Sequence, residues 1–130
     1  MKPKQEFIRL LQSRRWKVDV KAKIYIAKKQ PKLYFRFTED NNKIKASKEF
    51  DIILKSGKDE ALFYDILEEI EMESGIFSFD LVKDKLRMEA LFTLSEKKYL
   101  EEIIVKIEND LKLFSNNESI KPFIRNFHNT

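Results

Sequence analysis

From Trp16 the chain alternates with a period of two: Trp16, Val18, Val20, Ala22, Ile24 and Ile26 fall on one side, and Lys17, Asp19, Lys21, Lys23 and Tyr25 on the other. Successive side chains of a strand point to opposite faces, so this spacing predicts one long β-strand with a buried face and a wet face. Leu33, Phe35 and Phe37 resume the alternation after Lys29-Gln30-Pro31, whose proline cannot donate a ladder hydrogen bond, and predict a second, antiparallel strand. Asp40-Asn41-Asn42 supplies the next turn, and Ile44, Ala46, Phe50, Ile52 and Leu54 then continue inward as far as Ser56-Gly57, with Lys48 in an inward slot. The spacing leaves open whether 43–55 is one bent strand or two short ones. A sheet with one apolar face has to be covered, and the rest of the chain must meet that requirement.

Helices supply the cover. Pro3 suits a first helical turn, and Phe7, Leu10 and Leu11 follow at helical spacing, which predicts a helix over about 3–15. Asp59 or Ser56 caps a second helix over about 59–73, with Leu62, Phe63, Ile66, Leu67 and Ile70 inward and Gly75 in the C′ position. Phe77, Phe79 and Leu81, a turn at Lys83-Asp84, and then Leu86, Met88, Ala90, Phe92 and Leu94 read as a hairpin. Ser95 is the expected N-cap of a last helix over about 96–114, with Leu94 and Tyr99 as a hydrophobic staple. At 1.5 Å per residue that helix is roughly 28 Å long, enough to cross five strands. The expectation is an α+β fold, a single antiparallel sheet of about five strands covered by helices, in the order α-β-β-β-α-β-β-α. Residues 1–115 form the single domain. In the tail, 116–130, Ile120, Phe123, Ile124 and Phe127 surround Pro122 and are too apolar to be left in water. They dock on the domain itself, on a second protomer or on a partner, the first being the simplest.

The stretch Gly75-Ile76-Phe77-Ser78-Phe79-Asp80, then Lys83-Asp84-Lys85, then Leu86 to Leu94 and Ser95, together with Phe7-Ile8-Arg9-Leu10-Leu11 leading into Trp16-Lys17-Val18, is similar to the class I type III secretion chaperones and the YbjN domains, the Tir-chaperone-like superfamily. The resemblance covers about 5–114 and lies mostly in architecture and hydrophobic pattern. It implies non-enzymatic protein binding, often by a homodimer, with an extended client laid over apolar patches or sheet edges.

Chemistry is sparsely provided for. The chain has no Cys, one His at position 128, and only Gly57 and Gly75, so no thiolate site and no glycine-rich phosphate loop can be written. A PD-(D/E)xK nuclease needs an acid and then D/E-x-K on adjacent strands, but Glu49-Phe50-Asp51 lacks the lysine and Glu96-Lys97-Lys98 starts a helix. No catalytic, cofactor or metal residue is therefore assigned. There is no apolar leader and no run of 18 apolar residues, so a cytoplasmic protein without membrane contact is expected.

Charge is more informative. The net +4 divides into 16 Lys and Arg against 6 Asp and Glu over residues 1–57, and 10 against 16 over 58–130. Placed on the strands, the basic part puts Lys17, Lys21, Lys23, Tyr25, Tyr34, Arg36, Lys43 and Lys45 on the outward face of the sheet. Such a face can be the ordinary wet side of a one-sided sheet, the seat of an acidic protein, or a track for single-stranded nucleic acid, whose phosphates need cations and whose bases stack on tyrosine. Glu68, Glu69, Glu71 and Glu73 on the second helix offer the complement for a twofold dimer. The leading expectation is a protein-binding chaperone or adaptor, homodimeric, with a protein client; the alternative is a nucleic-acid binder using the same face.

Overall fold

The computed structural model describes residues 2–21, 24–29, 31–38 and 42–125. The order is α1 (Pro3–Ser13), β1 (Lys17–Lys21), β2 (Ile24–Lys28), β3 (Leu33–Phe37), β4 (Lys43–Asp51), α2 (Gly57–Glu73), β5 (Ser78–Val82), β6 (Lys85–Thr93) and α3 (Lys97–Ser115), closed by a 3₁₀ turn, Lys121–Phe123. One antiparallel sheet of six strands runs β1-β2-β3-β4-β6-β5. The α+β architecture is the expected one, and 43–51 is a single strand.

The sixth strand arises because the long alternating segment is a hairpin. Lys21 pairs with Ile24, Val20 with Tyr25 and Val18 with Ala27. In this register even-numbered residues of β1 oppose odd-numbered residues of β2, so the buried phase inverts between the strands. Ala27 is fully buried and Tyr25 packs on the core, whereas Ile24 and Ile26, expected inside, stand on the opposite face. A single period-two pattern conceals this because Tyr25 and Ala27 fit an inward position as well as the isoleucines do. Ala22 and Lys23 also lack the Gly, Asn or Asp that announces a tight turn. The Asp40-Asn41 part of the next expected turn, Phe127 and His128 lie outside the described residues.

All three helices lie on one side. Phe7, Leu10 and Leu11 of α1 and Leu100, Ile104, Ile107 and Leu111 of α3 pack on Leu33, Phe35, Ile44, Ala46, Met88 and Ala90. Phe63, Ile66, Leu67 and Ile70 of α2 join Phe50, Leu86, Phe114, Ile120 and Ile124 at the other end of the same face. The chain after α3 is stitched on by Ile53 N–H to the Phe123 carbonyl at 2.8 Å and Arg125 N–H to the Asp51 carbonyl at 2.8 Å.

Helix ends differ from the expected ones in instructive ways. Ser56 caps α2, accepting the Asp59 N–H at 3.2 Å while Asp59 accepts that of Lys55 at 3.0 Å. Gly75 does not end α2 through left-handed backbone, since no glycine has positive φ. The buried carboxylate of Asp110 on α3 does so instead, accepting the N–H groups of Gly75, Ile76 and Phe77 at 2.8–3.0 Å and the Ser74 hydroxyl at 2.8 Å. At α3 the N-cap is Glu96, not Ser95, and no side chain caps it. This shift by one residue leaves Tyr99 exposed, so the Leu94–Tyr99 staple is not made. The left-handed C′ residue appears at the end of α1, as Arg15 with φ 69°. Trp16 N–H reaches the Leu11 carbonyl and Arg15 N–H that of Gln12, both at 3.0 Å, completing a Schellman motif.

Candidate functional site

One face of the sheet carries no helix. Strand alternation places Lys17, Asp19 and Lys21 of β1, Ile24, Ile26 and Lys28 of β2, Tyr34 and Arg36 of β3, Lys43, Lys45, Ser47, Glu49 and Asp51 of β4, and Arg87, Glu89 and Leu91 of β6 on it.

Six of the eight residues expected at a binding face are brought together there: Lys17, Lys21, Tyr34, Arg36, Lys43 and Lys45. Lys23 lies outside the described residues. Tyr25 is the correction: the inverted phase of β2 turns its ring to the helix side, 5.0 Å and edge-on to Phe37 with the Lys4 ammonium 4.7 Å above it. Tyr34 is left as the tyrosine of the pair that faces outward.

The face is laced with carboxylates that its basic sequence did not suggest. Lys28 pairs with Asp19 at 2.6 Å, Lys45 with Glu89 at 3.1 Å, Lys85 with Asp51 at 3.1 Å and Arg87 with Glu49 at 3.0 Å. The hydrogen bond and charge of Lys28 hold the Asp19 carboxyl below its usual range. Exposed pairs of this kind add little to stability, so their main effect is to cancel charge. Lys17, Lys21, Arg36 and Lys43 make no ion pair among the described residues. These four frame a small apolar area in which Ile26 lies directly opposite Tyr34 and Ile24 opposite Arg36.

The expected complement, the acidic side of α2, stands elsewhere. Glu71 is engaged within the fold, accepting the Phe79 N–H at 2.7 Å. A twofold interface needs both complementary patches on one contact surface. α2 packs on the covered side of the sheet, so basic face and acidic helix point in opposite directions. A twofold dimer that paired these two patches would need both on one contact surface, and they stand on different sides of the fold.

Lys48 is the residue that sequence reasoning noticed without using. The residue is 5% exposed and makes no ion pair among the described residues. Its ammonium sits 5.8 Å from the Tyr34 ring and 5.7 Å from that of Phe50. Burial, followed by the charge of Lys32, pulls its pKa down to about 8, while Asp51 opposes the shift. The signal was the inward slot itself, since a lysine in a core phase has to be neutralised, paired or given a way out. Lys48 is among the residues that border a concavity of about 570 Å³, with Tyr34, Arg36, Lys45, Ser47, Glu49 and Arg87.

A second polar cluster joins α1, β2 and α3. Glu108 accepts from Arg14 Nε at 2.6 Å, Lys29 Nζ at 2.8 Å and Trp16 Nε1 at 3.2 Å. Burial alone would push its carboxyl up, but the three hydrogen bonds together outweigh burial and hold it below the usual range. Every member is partnered within the cluster, which marks it as a fastening of the fold. Among the described residues no His, Asp or Glu side chains cluster to hold a metal ion, and no helix is long and apolar enough to cross a membrane.

No protein-family model matches the chain, and no curated protein sequence matches it. A solved structure does: the chain is similar to YbjN of E. coli, described as a candidate transcription regulator, with a TM-score of 0.65 over 93% of this chain and 94% of that one. Sequence identity is 11%, so what the two share is the fold, and this chain has a YbjN-like α+β fold.

Proposed function

We propose that the chain is a non-enzymatic protein-binding module, an adaptor or chaperone, whose uncovered sheet face docks a partner segment carrying carboxylates beside an apolar side chain. The observation that carries this reading is the placing of Ile24 and Ile26 on the open face beside Tyr34, framed by Lys17, Lys21, Arg36 and Lys43, which make no ion pair among the described residues. A one-sided sheet exposes polar residues to water by default, and two adjacent isoleucines and a tyrosine there depart from it. These cations set the sign of the partner, because like-charged surfaces would be repelled. The YbjN-like fold and the resemblance to secretion chaperones support binding of a protein client, and a regulatory role would act through such contacts. A homodimer is compatible with this face only if a surface other than α2 is the complement.

Affinity purification from native lysate, with and without nuclease, tests the proposal when the wild type is compared with Ile24→Asp/Ile26→Asp. Both substitutions fall on the open face and should leave folding intact. The proposal expects a protein partner that survives nuclease and is lost from the double variant. Recovery of nucleic acid alone, or capture indifferent to the substitutions, would sink it.

A further inference from the structure

The outer side of α2 is as one-signed as the open face, with the opposite charge. Beyond its first turn α2 carries Asp65, Glu68, Glu69, Glu71 and Glu73 and no Lys or Arg. Glu71 is engaged with the Phe79 N–H, but Asp65, Glu68, Glu69 and Glu73 are exposed and make no ion pair among the described residues. Asp65 with Glu69, and Glu69 with Glu73, are like charges four residues apart, which costs a helix stability. Met72 stands one turn past Glu68 and Glu69 and is 82% exposed, more than any other large apolar residue among those described. The open face has the mirror-image fault, since Arg36 lies directly opposite Lys45 on the next strand.

The dimensions agree. Lys17 and Lys21 on β1 stand two strands from Arg36 and three from Lys43, about 10 and 14 Å at the usual strand spacing. A helix with its side chains is about 10–12 Å wide, so one laid along β2 has cations on both flanks. Lys17 to Lys21 covers about 14 Å along the strand, and Asp65 to Glu73 about 12 Å along the helix. A helix also suits the face because β2 and β3 are each paired on both sides, which leaves an extended chain no backbone groups to bond, whereas a helix satisfies its own. The other helices lack the charge: α1 has Lys4 and Arg9 against Glu6, and α3 interleaves Lys97, Lys98, Lys106 and Lys112 with its carboxylates.

We propose that α2 of a second copy of this chain docks on the open sheet face, with Met72 against Ile24, Ile26 and Tyr34 and the four carboxylates toward Lys17, Lys21, Arg36 and Lys43. The inference rests on the docking face proposed above and names one occupant of it. The two surfaces lie on different sides of the fold, so the contact does not close on a pair. Each copy keeps one free face and one free helix, and association runs head to tail. The contact is weak, as exposed ion pairs are, and dilution frees the face for a partner that competes with it.

Sedimentation of the whole protein from about 10 μM to about 1 mM tests this. At about 50 mM salt the mean mass should rise with concentration past that of two chains, and at about 500 mM it should fall back toward that of one. Ile24→Asp/Ile26→Asp removes the face and Glu69→Lys/Met72→Lys removes the helix; none of these positions is buried, and the circular dichroism of both variants should match wild type. Each variant alone should stay a single chain. Their equimolar mixture should form pairs and stop there, because the α2 variant keeps its face and the face variant keeps its α2. A wild type that remains a single chain at about 1 mM, association that ends at two chains, or a mixture that does not pair would overturn the inference. Partner capture separates the two readings. No self-association, with capture lost in the face variant and kept in the α2 variant, would remove this inference and leave the docking face standing; self-association as expected, with capture indifferent to the face variant, would remove the partner reading instead.

Discussion

Asp110 is where the packing makes its sharpest demand. Its carboxylate terminates α2 from a different helix: Oδ1 accepts the Gly75 N–H, and Oδ2 accepts those of Ile76 and Phe77 and the Ser74 hydroxyl. In Asp110→Ala all of these acceptors vanish. Gly75 is exposed and its N–H can turn to water, and Phe77 N–H retains a longer bond to Ser74 Oγ at 3.2 Å. Ile76 is half-buried and Phe77 only 4% exposed, so water replaces those bonds poorly. Hydrogen bonds to a charged acceptor contribute about 1.5–3 kcal/mol each, so one lost outright at Ile76 and one exchanged for a longer bond at Phe77 give a loss of about 2–4 kcal/mol. Asp110→Asn is milder. With its oxygen at the Oδ2 position it keeps three of the bonds and sets its amide against the exposed Gly75 N–H, for about 1–2 kcal/mol. Urea unfolding followed by Trp16 fluorescence measures both; with a slope of about 1.5 kcal/mol/M the alanine midpoint should fall by about 2 M. Alanine within 1 kcal/mol of wild type, or asparagine worse than alanine, would refute this account of how α2 is ended.

Other outcomes follow from local geometry. Arg15 holds the left-handed C′ position of α1, so Arg15→Gly should raise stability by about 0.5–1 kcal/mol in the same urea assay, despite losing a charged side chain. Gly75→Ala should be neutral or stabilising by up to about 1 kcal/mol, because its φ is not positive and the added Cβ would stand 3.5 Å from Asp110 Oδ1, an ordinary contact. The native chain gives up the Lys48 proton near pH 8 and the unfolded chain near the ordinary lysine value of 10.5. The unfolded state therefore binds more protons in between, and stability should rise with pH across that window by roughly 2–3 kcal/mol in wild type relative to Lys48→Met. A flat difference between the two proteins from pH 8 to 10.5 would remove that reasoning.

Much of the fold could be read from single residues, because side-chain period reports burial directly. β3, the Phe50 end of β4, the apolar stripes of α2 and α3 and the Lys83-Asp84 turn are where their spacing puts them. What could not be read was decided by contacts distant in sequence. The β1–β2 reversal preserves the look of alternation while exchanging the faces, and it moved Tyr25 in and Ile24 and Ile26 out. Asp110 ends a helix 36 residues before it, a role no local cap rule contains. The carboxylates that cancel much of the basic face come from β4 and β6 and meet the cations only in the folded register. Lys48 was visible as an anomaly, but its two rings and its concavity belong to tertiary structure.

The claim at the centre of this account is that the helix-free side of the sheet is the surface that works. Amide hydrogen exchange of the protein alone and with its captured partner bound tests it most directly. New protection confined to residues 24–28 of β2 and 33–37 of β3, with α2 and α3 unchanged, is the predicted result. Protection on the helical layer with those strands unchanged would contradict it.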